Sequence, residues 1–329
     1  MNSSYKQNGK GKIVAWILAT ILLIAAAGAV FVVFNKKNDE HSGGNSATTI
    51  QDGMVMMTEP DFRLNEPIGL RSTVVITPEL YKEVMEDENK NFGILFAPFN
   101  YFLKVDIDGT GDVDWVTAFE KETLSGVFVE SAPVAVTSAD GTLSHYIHKG
   151  SIANIPYQGV NMKLLGIGYV KTVDGENVSY KYASFPDGIS YKDCGYSYAY
   201  AASYKLNELK VLDLHLAQSE LDILNSVINQ SVDLANGLTE PTDDGSKYAV
   251  TLSDVSKTLN VDEEFTIEVD IAEGIDTPIW WQSTDTTVAV VKNGVVKAVG
   301  EGTATINVFV AGVKYTCAIT VNAVQENIK

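Results

Sequence analysis

Cysteine and histidine are scarce in this chain of 329 residues. Its two cysteines, Cys194 and Cys317, lie far apart, which argues against a disulfide scaffold. There are four histidines and no G-x-S-x-G motif, so the residues that a Ser-His-Asp arrangement needs are few. His145 and His148 are three apart, but no third ligand stands near them, so the pattern does not favour a metal site.

Basic residues are also in the minority, with 24 against 42 acidic residues. The first 37 residues hold five lysines and no acid, so the remainder carries a net charge of −23. Such a surface argues against nucleic acid or anionic lipid as a ligand of that part. Hydrophobic residues make up 45% of the chain, which is typical of a folded protein with room for two domains.

One long hydrophobic run stands near the N-terminus. Residues 13–34 are 22 residues whose one polar side chain is Thr20, and as a helix they extend about 33 Å, enough to cross a bilayer. Three lysines precede the run without any acid, which favours a cytoplasmic tail at 1–12 and a single-pass protein with the rest outside the cell. The alternative is a signal peptide cleaved near Gly28, although the apolar run continues six residues past it.

The remaining chain divides into two candidate domains. A small, polar tether at 35–50 precedes an α+β domain at 51–239, and a linker at 240–247 separates it from a β-sandwich at 248–323 with a tail at 324–329. The fold class is therefore mainly β with some α.

The α+β domain is predicted to hold a sheet followed by two C-terminal helices. Thr77 and Pro78 indicate a helix start, and Asp174-Gly175 a hairpin turn. Tyr196 to Leu209 predicts one of the final helices, and Ser219 the capped start of the other. Short apolar runs predict strands at 72–76, 93–97, 126–129, 134–136 and 164–170.

Strict alternation of apolar and polar residues begins near residue 248. It is clearest at 265–271, 304–310 and 313–321, with Asn293-Gly294 and Ala311-Gly312 as hairpin turns. One buried face on each strand predicts an antiparallel sandwich.

These C-terminal residues resemble the group-two bacterial immunoglobulin-like domain. The matching stretches are Leu252-Ser253, 265–271, Trp281-Gln282-Ser283-Thr284-Asp285, 288–291, 293–306 and 316–321. The resemblance implies a stalk, spacer or binding module of a bacterial surface protein, with no catalytic residues.

The α+β domain resembles an uncharacterised ectodomain found beside such modules in Gram-positive surface proteins. This resemblance implies a location and no function. Where the pattern has arginines, this chain has Gly166 to Gly168 and Tyr196. The matching residues are Gly69-Leu70-Arg71, Phe92-Gly93, Pro98, Asn154-Ile155-Pro156, Tyr169-Val170 and 198–201.

An acidic loop at 106–114 is the one candidate cofactor site. Asp106, Asp108, Asp112 and Asp114 alternate around Gly111, as carboxylates do in a calcium loop. Thr117 occupies the twelfth position, where an EF-hand has a bidentate glutamate. The pattern leaves two alternatives, a solvated acidic loop and a weak calcium site; no other cofactor is indicated.

Adjacent tryptophans supply the one candidate binding residue. A strand points Trp280 and Trp281 to opposite faces, and alternation places Trp281 in the core. Trp280 is therefore expected to face outward, where it can contact the other domain or a partner.

Two functions from different classes follow. The first is a membrane-anchored cell-surface protein with a non-catalytic structural, adhesive or ligand-binding role, whose partners are the membrane through 13–34 and a cell-wall glycan or a surface protein. The second is a carbohydrate-processing or other hydrolase with the C-terminal domain as an accessory. Abundant carboxylates keep the second open, because their pairing is spatial.

Overall fold

A computed structural model describes residues 50, 53–235, 250–272 and 275–323. The predicted anchor at 13–34, both tails, the linker and all of the tether except Ile50 lie outside the described residues. Within the described ranges no helix is long and apolar enough to cross a bilayer. Strands dominate these ranges, in agreement with the predicted class.

Residues 53–235, called the middle region, contain two antiparallel sheets where the sequence predicted one. The first sheet has the order β1-β3-β7-β6, with β2 beside β3, and the second has the order β5-β4-β8-β9. The strands are β1 (Met54–Met56), β2 (Asp61–Arg63), β3 (Gly69–Ile76), β4 (Lys90–Pro98), β5 (Val127–Glu130), β6 (Val134–Thr137), β7 (Leu143–Ala153), β8 (Leu164–Asp174) and β9 (Asn177–Tyr182). The β8–β9 hairpin confirms the predicted turn, with Gly175 at a φ of 60°.

The two sheets pack face to face around a shared core. Met54, Val74 and Ile76 of the first sheet meet Phe92 and Ile94 of the second. The approach is close, since a Cβ added to Gly168 on β8 would lie 2.3 Å from Val74 Cγ2. No larger side chain fits there unless the two sheets move apart.

Two 3-10 turns, Tyr157–Gly159 and Tyr191–Asp193, and five α-helices complete the middle region. The α-helices are α1 (Pro78–Met85), α2 (Phe99–Val105), α3 (Trp115–Lys121), α4 (Tyr198–Val211) and α5 (Gln218–Ala235). The Thr77 side chain caps α1, and both final helices lie where the sequence predicts them. The predicted cap at Ser219 is wrong, because α5 begins at Gln218 and Ser219 lies in its first turn. Phe102 and Phe119, from α2 and α3, pack on the outer face of the second sheet. Both faces of β8 are therefore covered, which explains its unbroken run of buried residues.

Helices α4 and α5 pack on each other at one end of the first sheet. Their core joins Ala202 and Leu206 of α4 to Leu224 of α5 and to Phe62 and Leu70 of the first sheet. Ser197 begins α4 by accepting a hydrogen bond from the Tyr200 amide at 3.1 Å. This core also includes Ala311 from the C-terminal part of the chain. Helix α4 is therefore covered on that side by the C-terminal strands.

Residues 250–323, called the C-terminal region, form a sandwich around a second core. One sheet has the order β11-β18-β17-β14, another the order β12-β16-β15, and β10 pairs with β13. The strands are β10 (Val250–Leu252), β11 (Ser256–Asn260), β12 (Glu264–Thr266), β13 (Val269–Ile271), β14 (Ile279–Ser283), β15 (Ala289–Lys292), β16 (Val295–Ala298), β17 (Gly302–Val310) and β18 (Val313–Asn322). Both predicted hairpin turns are confirmed, with positive φ at Asn293, Gly294, Ala311 and Gly312.

Two features of this sandwich differ from the sequence prediction. Strand β11 pairs with β18 in parallel, because the chain crosses the whole region between them. The single strand expected at 265–271 is divided, since β12 pairs with β16 and β13 with β10. The change of partner falls at Ile267 and Glu268, whose amides bond to Gly294 O and Ser253 Oγ.

Candidate functional site

The most distinctive surface in the described residues lies where α4 meets the C-terminal region. Tyr200 and Tyr204 are four residues apart on α4 and lie on one face of the helix. Tyr196 lies four residues earlier, just before the N-cap residue, and continues the same line. Strands β14 and β17 pack on the same helix, and β14 contributes Trp280. These four residues are called the aromatic strip.

The rings of the aromatic strip contact one another in two pairs. Tyr196 and Tyr200 stack with centroids 5.5 Å apart at 14°. Tyr204 meets Trp280 edge to face, with centroids 5.2 Å apart at 69°. All four residues are half-buried. The strip therefore runs from the middle region onto the C-terminal region.

Hydrogen bonds and charges define the margins of the aromatic strip. The Tyr196 hydroxyl donates to Thr58 O at 2.6 Å, which fixes one end. Burial, followed by the nearby Asp276 carboxylate, raises the pKa of Tyr200. Asp276 itself lies 3.5 Å from Lys163 Nζ. The site thus combines aromatic surface with hydroxyl and carboxylate groups that can bond to a polar ligand.

Asn207 connects the two regions directly beneath the aromatic strip. Its side chain is fully buried, and Nδ2 donates to Pro278 O at 2.9 Å. Its Oδ1 accepts a hydrogen bond from the Gly312 amide. A Cβ added to Gly312 would lie 2.5 Å from Leu206 Cγ, so the β17–β18 turn sits tightly on α4. These contacts hold Trp280 in place relative to the tyrosines.

The structure turns the adjacent tryptophans to opposite faces of β14. Trp281 lies opposite Val308 in the ladder and packs, partly buried, on the C-terminal core. Trp280 lies opposite Phe309 and faces α4. The sequence selects Trp280, and the cluster of tyrosines from Tyr180 to Tyr204 leaves open a binding face or a buried core; their spacing of four residues along α4 is the signal that joins three of them to Trp280.

The acidic loop is held by hydrogen bonds to itself and to the 3-10 turn Tyr191–Asp193. Asp106 is buried, accepts from the Tyr191 hydroxyl at 2.6 Å and from the Gly111 amide at 3.1 Å, and lies 3.6 Å from Lys192 Nζ. Burial acts to raise the pKa of Asp106, but those hydrogen bonds and the Lys192 charge outweigh it, and the pKa is lowered. Asp106 therefore has a structural role in this loop.

The other carboxylates of the loop point to separate partners. Asp108 accepts from the Thr110 amide and hydroxyl, Asp112 is exposed, and Asp114 caps α3 while accepting from the Tyr182 hydroxyl at 2.8 Å. Across the described ranges no three His, Cys, Asp or Glu side chains form a group that could hold a metal ion. Calcium binding by this loop stays a prediction of the sequence.

The two candidate histidine ligands lie on β7, where a separation of three residues turns them to opposite faces. His148 is buried, its Nε2 lies 3.0 Å from Ser131 Oγ, and burial lowers its pKa to about 4. The cysteines Cys194 and Cys317 are both buried and free.

No protein-family profile and no curated protein matches the sequence. Among solved structures, domains 4 and 5 of the S-layer protein SbsC align at 11% identity with a TM-score of 0.21, covering 48% of this chain and 66% of that one. Residues 31–844 of the S-layer protein rSbsC align at 10% identity with a TM-score of 0.22, covering 86% of this chain and 52% of that one. The BSP domain of a biofilm-associated protein aligns at 10% identity with a TM-score of 0.20, covering 87% of this chain and 54% of that one.

This chain therefore spans less than two thirds of the length of each of the three solved structures. Two of these structures are of an S-layer protein and the third is of a biofilm-associated protein, and similarity at this level carries no argument about this chain.

Proposed function

We propose that this chain is a bacterial cell-surface protein without catalysis, anchored by a membrane helix at 13–34. The middle region is then an α+β ectodomain, and the C-terminal region a group-two bacterial immunoglobulin-like domain. Together they act outside the cell as an adhesive or ligand-binding unit. The observation that carries this proposal is the aromatic strip across the junction of the two regions.

The chemistry of the aromatic strip suits a binding surface. Tyrosine and tryptophan combine a large apolar ring with a polar group, and both are enriched in interfaces. Half-burial of all four residues leaves contact area while restricting their rotation. Since Asn207 fixes the two regions to each other, little ordering remains to be done when a ligand binds.

A cell-wall glycan fits these features. The apolar faces of sugar rings can stack on the tyrosines, and sugar hydroxyls can donate to carboxylates such as Asp276. The Glu59 charge acts at the same place, since it raises the pKa of Tyr204 after the larger effect of burial. The acids give the surface no attraction for nucleic acid.

Binding of the full-length chain to purified wall glycan tests the proposal. We expect Tyr200→Ala to weaken binding about five- to ten-fold, as truncation of an interface aromatic does. Tyr180→Ala removes another half-buried tyrosine, on β9 outside the aromatic strip, and should leave affinity unchanged.

Two outcomes would contradict this proposal. Equal affinities of the Tyr200 and Tyr180 variants would remove the aromatic strip from the binding surface. New reducing ends in glycan incubated with the chain would indicate the hydrolase instead.

A further inference from the structure

Positive charge gathers on the first sheet of the middle region. The sequence holds two arginines, Arg63 and Arg71, and both lie on the neighbouring strands β2 and β3. Beside Arg71 stand Lys149 of β7 and Lys205 of α4. These three side chains, Arg71, Lys149 and Lys205, are called the cationic cluster.

The register of the first sheet brings two members of the cationic cluster together. Arg71 pairs with Ser151, and Thr73 pairs with Lys149. Arg71 and Lys149 are therefore diagonal neighbours on the same face, with backbones about 7–8 Å apart. Helix α4 packs on β2 and β3 and carries Lys205 to the same place.

The charges of the cationic cluster are not fully balanced. Arg71 Nη2 donates to Asp61 Oδ1 at 2.8 Å, and Lys205 Nζ to Glu208 Oε2 at 2.8 Å. Among the described residues no carboxylate lies within ion-pair distance of Lys149. Lys149 is therefore the member of the cationic cluster that has no carboxylate partner of its own in the described part of the chain.

Burial makes the charge of Lys149 unfavourable in the free protein. Arg71 and Lys205 are only 16% and 17% exposed, and Lys149 is half-buried. Burial and then the Arg71 charge lower the pKa of Lys149; Asp61 opposes this shift, and Lys205 adds to it. A bound anion would relieve the repulsion among the three cations.

We propose that the cationic cluster binds a singly charged oxyanion, with Lys149 as its principal ligand. A carboxylate or a phosphodiester has the right charge to balance Lys149, and both accept charge-assisted hydrogen bonds from lysine and arginine. Arg71 engages Asp61 through Nε and Nη2, so its Nη1 is directed elsewhere and can donate to the anion. None of the three cations belongs to the aromatic strip. The anion site therefore does not depend on glycan binding there, and it predicts an acidic group in a ligand of this protein.

Acetate and dimethyl phosphate, titrated separately into the full-length chain at constant ionic strength, test the site. Amide chemical shifts of Arg71 and Lys149 report binding, with sodium chloride as the blank. We expect at least one probe to bind, and the one that binds more tightly identifies carboxylate or phosphodiester as the source.

Lys149→Gln should weaken that binding about ten-fold, through loss of a charge-assisted hydrogen bond. Lys171→Gln is the matched control on β8 of the other sheet and should bind as the unaltered chain does. Denaturant unfolding in chloride gives a second reading, in which Lys149→Met should be more stable than Lys171→Met. The proposal is overturned if neither probe binds, or if the Lys149 and Lys171 glutamine variants bind alike.

Discussion

Trp280 and Trp281 show how one position along a strand changes the role of a side chain. Deletion of a fully buried large aromatic costs about 3–5 kcal/mol. Because the Trp281 indole is only partly buried, we expect Trp281→Ala to cost about 2–4 kcal/mol. Trp280→Ala should cost about 1 kcal/mol by removing the pair with Tyr204. Denaturant melts of both variants measure this, and the assignment fails if Trp280→Ala is the more destabilising.

Asn207 is the residue on which the junction depends most. Asn207→Leu has a similar volume but leaves Pro278 O and the Gly312 amide without their partner. We expect a loss of about 2–4 kcal/mol, since each buried group left unpaired costs about 1–3 kcal/mol. The same substitution at Asn225, which is exposed on α5, is the matched control and should stay within about 0.5 kcal/mol. Equal unfolding free energies for the two variants would contradict this role.

His148 makes stability depend on pH. Its pKa is lowered to about 4 in the folded protein, against about 6.5 in an unfolded chain. Between these values the unfolded chain binds a proton that the folded protein does not, so stability falls as pH falls through this window.

From pH 7 to 5 we expect His148 to account for a loss of about 2 kcal/mol in unfolding free energy. Urea unfolding at the two pH values measures it. His148→Leu should lose less stability over this interval, while the exposed His215→Leu should lose as much as the unaltered chain. A His148 variant with the unaltered pH dependence would refute the assignment.

At the scale of elements, the contact of the two middle-region sheets is set by side-chain volume. Gly168→Ala would place its Cβ 2.3 Å from Val74 Cγ2, so the sheets must move apart. We expect a loss of about 1–3 kcal/mol from overpacking.

Val74→Ala makes room for the new methyl group. The double variant should therefore be more stable than the sum of the two single losses predicts, by about 0.5 kcal/mol or more. If the losses in unfolding free energy of the two single variants simply add in the double variant, contact with Val74 is not the reason for glycine at position 168.

At the scale of the whole molecule, residues 13–34 are expected to decide where the protein resides. Their apolar length suits a bilayer, and the net negative charge of the remainder gives no electrostatic attraction to anionic lipid. The full-length chain should sediment with membranes, while a chain lacking 13–34 should stay in the supernatant. A mature N-terminus near Gly28 would contradict the anchor and favour the cleaved signal peptide.

The sequence by itself determined the local features of this protein. Apolar runs located β3, β4, β5, β6 and β8, and alternation located β17 and β18. Thr77 and Pro78 marked a helix start, and Asn293-Gly294 marked a turn. The inward side of Trp281 followed from the same alternation. These features depend on a few consecutive residues, whose backbone preferences and side-chain period are present in any short segment.

Only the tertiary structure decided which distant segments meet. The partnering of Asn207 with Pro278 and Gly312, the approach of Lys149 to Arg71 and the parallel β11–β18 pair all join residues far apart in the chain. No local pattern encodes them, because a side chain's hydrogen-bonding and charge chemistry is the same whichever partner it meets. The partner is chosen by the packing of whole sheets and helices, which reflects the sum of many burial terms over the folded chain.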